Sequence, residues 1–279
     1  MISTSKGKSI RGSESGAVLI VVLLVLVLIT LVGTIAIQRS STDLKLATAS
    51  QVGKLTFQST DAAFTKLEKE DRSLGKGNSV DNVRGYVTRP GKQYVGREII
   101  FCVRPKTSRF FNQNKLTEKT SDGTGYISGK NNGFCDVGNS EDYVGESRTV
   151  TQMTFVKSET NEALPYSLEG DLTYTDDQVS QTGQTPFECA NFEVYATSLV
   201  PAFSDAATSK INACLKTVNT DALKEKCEAK VKAENTDYAT RPELFVACSI
   251  DACLENLDVP FNTQMQAYKS KPIGVRCLS

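Results

Sequence analysis

Two hydrophobic patterns meet near residue 40 of the chain. Ala17 to Ile37, AVLIVVLLVLVLITLVGTIAI, is a run of 21 residues without a charged side chain. As a helix rising 1.5 Å per residue it spans roughly 30 Å, the thickness of a bilayer core. From Asp43 to Lys69 the pattern turns amphipathic. There is no proline, and Leu46, Ala49, Gly53, Phe57, Thr60, Phe64 and Leu67 recur at steps of three and four. That spacing places them on one helical face. Ser73-Leu74-Gly75-Lys76-Gly77 then supplies a stop. The pattern predicts one long helix over 17–69, membrane-embedded at 17–37 and amphipathic beyond. A lone anchor has no use for the second half, whereas a helix with a domain packed along it does.

After residue 70 the period changes. YVGREIIFCVRP at 94–105, RTVTQMTFVKS at 148–158, NFEVYATSLV at 191–200 and TQMQAYKS at 263–270 read as strands. In the second of these Val150, Gln152 and Thr154 share one face, with Thr151, Met153 and Phe155 on the other. Strands following one long helix predict an antiparallel sheet packed on its apolar stripe, an α+β fold. Residues 121–147 are Gly/Asn/Asp-rich and read as one long loop, a length that suits a contact surface. Between Ser204 and Asn256 the helical period returns in three short segments. The first opens on a Ser/Asp cap, the second on Thr220 or Asp221, and the third on Pro242 in its first turn. The chain thus divides into a leader (1–16), the long helix (17–69), a β-rich head (70–203), a cysteine-rich helical insertion (204–257) and a C-terminal strand and tail (258–279).

Charge orients the hydrophobic helix. Lys6, Lys8 and Arg11 against Glu14 make the leader basic, so it stays cytoplasmic and everything after Arg39 crosses the membrane. An ordinary secretory signal has a shorter apolar stretch, and Ala47-Thr48-Ala49 lies too far past the run to be its cleavage site. The eight cysteines, Cys102, Cys135, Cys189, Cys214, Cys227, Cys248, Cys253 and Cys277, all lie downstream of the run. An even set on the exported side predicts four disulfides in an oxidising compartment. The three insertion helices are marginal alone, and a nested pairing of Cys227 with Cys248 and Cys214 with Cys253 would staple them. Eight cysteines allow about 105 pairings, so other connectivities stay open.

Composition narrows the chemistry. The chain of 279 residues carries 32 basic and 32 acidic side chains, a balance that gives no argument for nucleic acid as a partner. Histidine is absent, which removes the usual general base and the commonest zinc ligand. No P-loop and no G-x-S-x-G is present, so no residue set points to an enzyme. Cys214, Cys227, Cys248 and Cys253 do not have zinc-finger or zinc-ribbon spacing. The one cofactor with candidate ligands is calcium, at Asp122, Asp136, Glu141 and Asp142, although their spacing matches no EF-hand.

The N-terminal fifth resembles a family. A basic leader, Gly16, the apolar run, the amphipathic continuation LATASQVGKLTFQSTDAAF and a β-rich remainder are similar to type IV pilin precursors. The closer likeness over residues 11–67 is to PilX-type minor pilins. The resemblance implies that a prepilin peptidase cuts between Gly16 and Ala17 and that the new amine of Ala17 is methylated. It also implies the pilin fold, with the long N-terminal helix on an antiparallel sheet, here bearing the disulfide-rich helical insertion. Partners would be other minor pilins and the major pilin through the helix, with a tip adhesin as a further candidate. The precursor would sit N-in in the inner membrane of a Gram-negative bacterium with a periplasmic head, and later at a pilus tip. By the same analogy Gly33 could be a softening point in the helix.

One position departs from the family. Major pilins place a glutamate at the fifth residue of the mature chain, where it pairs with the N-terminal amine of a neighbouring subunit; here that residue is Val21. An unpaired ionised group in a hydrophobic core costs several kcal/mol, so the pair selects register. A subunit with valine there suits the end of a filament rather than its shaft. Tip pseudopilins of type II secretion share this substitution and remain an alternative. An uncleaved single-pass envelope protein, with the 121–147 loop as its binding surface, is another.

Overall fold

Helix α1 (Ser15–Ser73) runs 59 residues and passes through Gly33 and Gly53 without a break. The computed structural model describes residues 15–73, 82–89, 91–107, 109–158 and 190–270. The predicted stop at 74–77 therefore lies outside the described residues. The chain divides into two compact units, Met1–Gln51 and Val52–Ser279.

In the first unit α1 is long and apolar enough to cross a membrane. From Val18 to Gln51 every residue is exposed except Gly33 and Thr48, which are half-exposed. The two threonine hydroxyls inside the apolar run are satisfied locally. Thr30 and Thr34 donate to the carbonyls of Val27 and Leu31, each at 2.8 Å. An alcohol in such a helix needs no other partner to enter an apolar medium.

In the second unit an antiparallel sheet runs in the order β3-β2-β1-β5-β6-β7. Its strands are β1 (Glu98–Cys102), β2 (Thr117–Lys119), β3 (Tyr126–Ser128), β4 (Tyr143–Val144), β5 (Thr149–Lys157), β6 (Ala190–Leu199) and β7 (Phe261–Ser270). β4 pairs with the start of β5, Tyr143 opposite Val150, beyond the end of β1. The four strands expected from alternation are present as β1, β5, β6 and β7. The three short ones, β2, β3 and β4, lie in stretches with no strand signature, two of them inside the expected loop.

Alternation in β5 sorts the core into two layers. Met153 and Phe155 face α1, where Ala63, Phe64 and Leu67 pack with Ile99, Phe101, Phe111, Phe192, Val194 and Ala196. Phe101 stacks on Phe155 across the β1–β5 pair at 5.3 Å. Val150 lies on the opposite face, in a second core with Leu199, Ile211, Leu215, Ile250 and Leu254. All nine residues of β5 are buried, because the sheet is covered on both sides.

The stripe read from the helical pattern needs a correction. Leu46, Ala49, Gly53 and Phe57 are exposed, Phe57 by 54%. The face that meets the sheet is Val52, Thr56, Thr60, Ala63, Phe64 and Leu67. The reason is polar matching. At this level the sheet presents Thr149 and Thr151, whose hydroxyls bond Ser59 at 3.0 and 2.8 Å, and Thr60 reaches Asn262 at 3.4 Å. With about 100° per residue, turning Thr56, Ser59 and Thr60 inward swings Phe57 out of the interface.

The insertion covers the other face. It comprises α3 (Thr208–Leu215), α4 (Asp221–Glu234) and α5 (Ile250–Asn256). A short helix α2 (Val83–Val87), capped by Asn82 on the amide of Gly85, precedes the sheet and has no counterpart in the sequence reading. Two expected starts also shift. Ser204 does not cap α3; it accepts from the amide of Ala206 and donates to the carbonyl of Leu257. The third expected helix breaks into a 3-10 segment, Pro242–Cys248, and α5. Ser249 caps α5 by accepting from the amide of Asp251 at 3.2 Å.

Candidate functional site

The residues singled out at the N-terminus begin the first helix. Gly16 and Ala17 lie in the first turn of α1, and Val21 follows with its side chain 60% exposed. From Val18 to Val32 every residue around it is apolar or threonine, and all are exposed. Such a surface can be covered by lipid or by other helices, and it offers no carboxylate to a neighbouring amine.

The head is tied together by covalent links. Cys102 on β1 bonds Cys135, drawing the Gly/Asn-rich segment onto the sheet face that carries the second core. Glycine makes that approach feasible: a Cβ on Gly133 would lie 2.1 Å from the carbonyl oxygen of Ile100. Cys214 bonds Cys253 and Cys227 bonds Cys248, the nested arrangement expected from the sequence. Cys189 and Cys277 lie outside the described residues.

Three of the four acids singled out in the predicted loop 121–147, Asp122, Asp136 and Asp142, are engaged by protein groups. Asp142 is 1% exposed and is gripped by Arg104, whose Nε lies 2.6 Å from Oδ1 and Nη2 3.3 Å from Oδ2. It also accepts from the amide of Asp136 at 2.8 Å. Asp136 bonds the amide of Gly138 and the side chain of Asn212. Asp122 is bonded by Thr120 and Thr124, which hold its carboxyl down at about 2. Glu141 is exposed. The four candidate calcium ligands are thus not brought to one point. Among the described residues no three His, Cys, Asp or Glu side chains converge where a metal could sit.

A second buried acid carries no signature in the sequence. Glu118 on β2 faces the α1 side and accepts from Arg97 at 2.9 Å, Arg89 at 3.2 Å and the Tyr86 hydroxyl at 3.1 Å. Arg89 also lies over the rings of Tyr86 and Tyr94, at 3.8 and 4.3 Å. Burial works to raise the Glu118 pKa, but Arg97, Arg89 and the Tyr86 hydroxyl outweigh it and leave it below the ordinary glutamate value. The partners sit 21 to 32 residues from Glu118, so no local pattern announces them. A depressed folded pKa contributes stability that is whole above the unfolded value and is lost as pH falls through the folded one. Relative to Glu118→Gln, the native chain should therefore lose stability on acidification from about pH 5. Urea unfolding of both chains at neutral and acid pH measures this; a gap that does not shrink in acid would contradict it.

On the opposite face Glu98 and Lys119 form a buried pair at 3.5 Å. Burial pushes the Lys119 ammonium down, against the pull of Glu98. Lys119 donates to the carbonyls of Lys216 and Thr217, and Glu98 accepts from the amides of Asn219 and Thr220. These groups hold the insertion to the sheet and are shielded from any substrate.

Comparison with known proteins adds one finding. Residues 15–65 match the family model described as PilX N-terminal. That segment is α1 from its first residue to the turn that carries Ala63 and Phe64. No curated protein and no solved structure matches the chain.

Proposed function

We propose that this chain, a PilX-type minor pilin of the type IV pilus by its N-terminal segment, primes pilus assembly and sits at or near the filament tip. The observation that carries the reading is Val21 within the segment matched to the PilX model. Cleavage between Gly16 and Ala17 leaves a positively charged amine four residues before Val21. In a filament core that charge needs a carboxylate, because an unpaired buried ion costs several kcal/mol. This subunit supplies none to a neighbour. It can therefore end a stack, but it interrupts one if placed in the shaft. The exposed apolar surface of α1 supplies non-directional burial with other pilin helices, and the missing acid restricts where that burial can occur.

The head supports the same role in a different way. Three described disulfides and the buried ion clusters around Glu118 and Asp142 brace it, and its surface is available to neighbouring minor pilins or a tip adhesin. Its part is structural, as the PilX likeness implies.

Labelling of sheared pili with antibody to the head tests the placement. Label confined to filament ends is the expected result, and label spread along the shaft would overturn it. A Val21→Glu chain supplies the missing carboxylate and should shift label into the shaft. An unchanged distribution in that variant would count against the electrostatic argument.

A further inference from the structure

The insertion is not held to the sheet in the way the rest of the head is held together. At its base the second core is apolar, with Ile211, Leu215, Ile250 and Leu254 on Val150 and Leu199. Beyond that base the contact becomes polar. Of the described side chains from Lys216 to Ala247, only Thr220 and Leu223 are buried. Val218 and Leu223 lie against Gly123, Lys226 donates to the Ser121 carbonyl, and the Val218 carbonyl accepts from the amide of Ile250 in α5. The remaining contacts to the sheet are hydrogen bonds around one ion pair. Glu98 accepts from the amides of Asn219 and Thr220 at 2.8 and 3.0 Å. Lys119 donates to Lys216 and Thr217 at 2.8 Å each. The Asn219 side chain reaches Thr154 and Thr197, both at 3.3 Å.

The same place carries desolvation that its ion pair compensates only in part. Among the described residues Glu98 Oε2 has no hydrogen bond, with the Lys119 ammonium 3.5 Å away, and the buried Thr220 hydroxyl has none either. Water reaching this interface would satisfy both. A buried ion pair gives little net stabilisation against its hydrated alternative, and orphaned polar atoms subtract from it. The sheet surface beneath, Glu98, Lys119, Thr154 and Thr197, is itself made of groups that water solvates well.

The covalent frame permits separation. Cys214–Cys253 closes the base of the stretch, and Cys227–Cys248 ties α4 to the 3-10 segment that returns from it. We propose that residues 216–248 form a lid that lifts from the sheet as one body, with both disulfides intact. Lifting uncovers the polar face of β1, β2, β5 and β6 around Glu98 and Lys119. The hinges are the peptides at Leu215–Lys216 and Cys248–Ser249, each beside the Cys214–Cys253 staple. Sub-global opening of this kind is expected where buried apolar contact is sparse.

Hydrogen exchange on the full chain in detergent, without reductant, tests the lid. The amides of Asn219 and Thr220, bonded to the Glu98 carboxylate, should exchange together and at least about tenfold faster than those of β5. Glu98→Gln should accelerate them by roughly another tenfold and leave β5 unchanged. Thr220→Val removes an orphaned hydroxyl that makes no capping bond to α4, and should slow them. Exchange of Asn219 and Thr220 at the β5 rate would overturn the proposal. So would a Thr220→Val chain in which the lid and β5 change alike, a result that decides the matter even if Glu98→Gln fails to fold.

Discussion

Replacing Phe64 with alanine should cost the head about 3–5 kcal/mol, the range for emptying a fully packed aromatic site. Phe64 is 2% exposed and lies in the core formed by α1, β1, β5 and β6. Phe57, two helical turns earlier, is 54% exposed and makes no part of that core. Phe57→Ala should change stability by no more than about 0.5 kcal/mol. Urea unfolding of the two variants, followed by near-ultraviolet circular dichroism because the chain has no tryptophan, separates them. Equal losses at the two positions would mean that α1 presents a different face to the sheet.

Removing the Cys102–Cys135 bond by paired alanine substitution should cost roughly 2–4 kcal/mol. The two cysteines are 33 residues apart, so the bond closes a long loop in the unfolded chain. Both are also buried in the second core, at 3% and 2% exposure. Loss of the bond frees the segment that carries Asp136 and Asp142, and with it the docking of Asn212 on α3. The midpoint of urea unfolding gives the loss, and native-state proteolysis shows where the chain opens first. Cleavage within residues 129–142 is the expected site; a variant as stable as the native chain would mean that Arg104 and Asp142 hold the segment unaided.

The parts of this fold that are legible in the sequence are those with a local period. The uncharged run, the helix continuing into its second half, and the strands β1, β5, β6 and β7 all announce themselves by spacing. The nested disulfides are suggested by one or two cysteines on each of three adjacent helical segments, but the sequence does not single them out from the other pairings. What stays hidden depends on contacts far apart in sequence. β2 and β3 are three residues each and exist because β1 offers an edge. The helical pattern places Thr60, Phe64 and Leu67 on the buried face of α1 but adds Phe57 to it, whereas the sheet there offers Thr149 and Thr151 and selects Ser59 and Thr60. The buried acids Glu98, Glu118 and Asp142 look like any surface acid until their cationic partners on other segments are in view. Within the 121–147 segment Asp142 looks no different from its neighbouring acids, since Arg104, which neutralises it, lies outside the segment.

The candidate site divides similarly. Gly16, Ala17 and Val21 stand out in the sequence because the pattern that resembles the family is linear, running from leader through glycine into an uncharged helix. The bonds of Glu98 and Lys119 to the insertion are not, because they join strands to a loop about 100 to 120 residues further on.

The most direct measurement is the mature N-terminus, by intact mass and N-terminal peptide sequencing of the chain from a host with its own prepilin peptidase. A chain beginning at methylated Ala17 is the predicted result and places it among filament subunits. A chain that still carries residues 1–16 would contradict the account: it would be an anchored envelope protein, and the tip argument from Val21 would no longer apply.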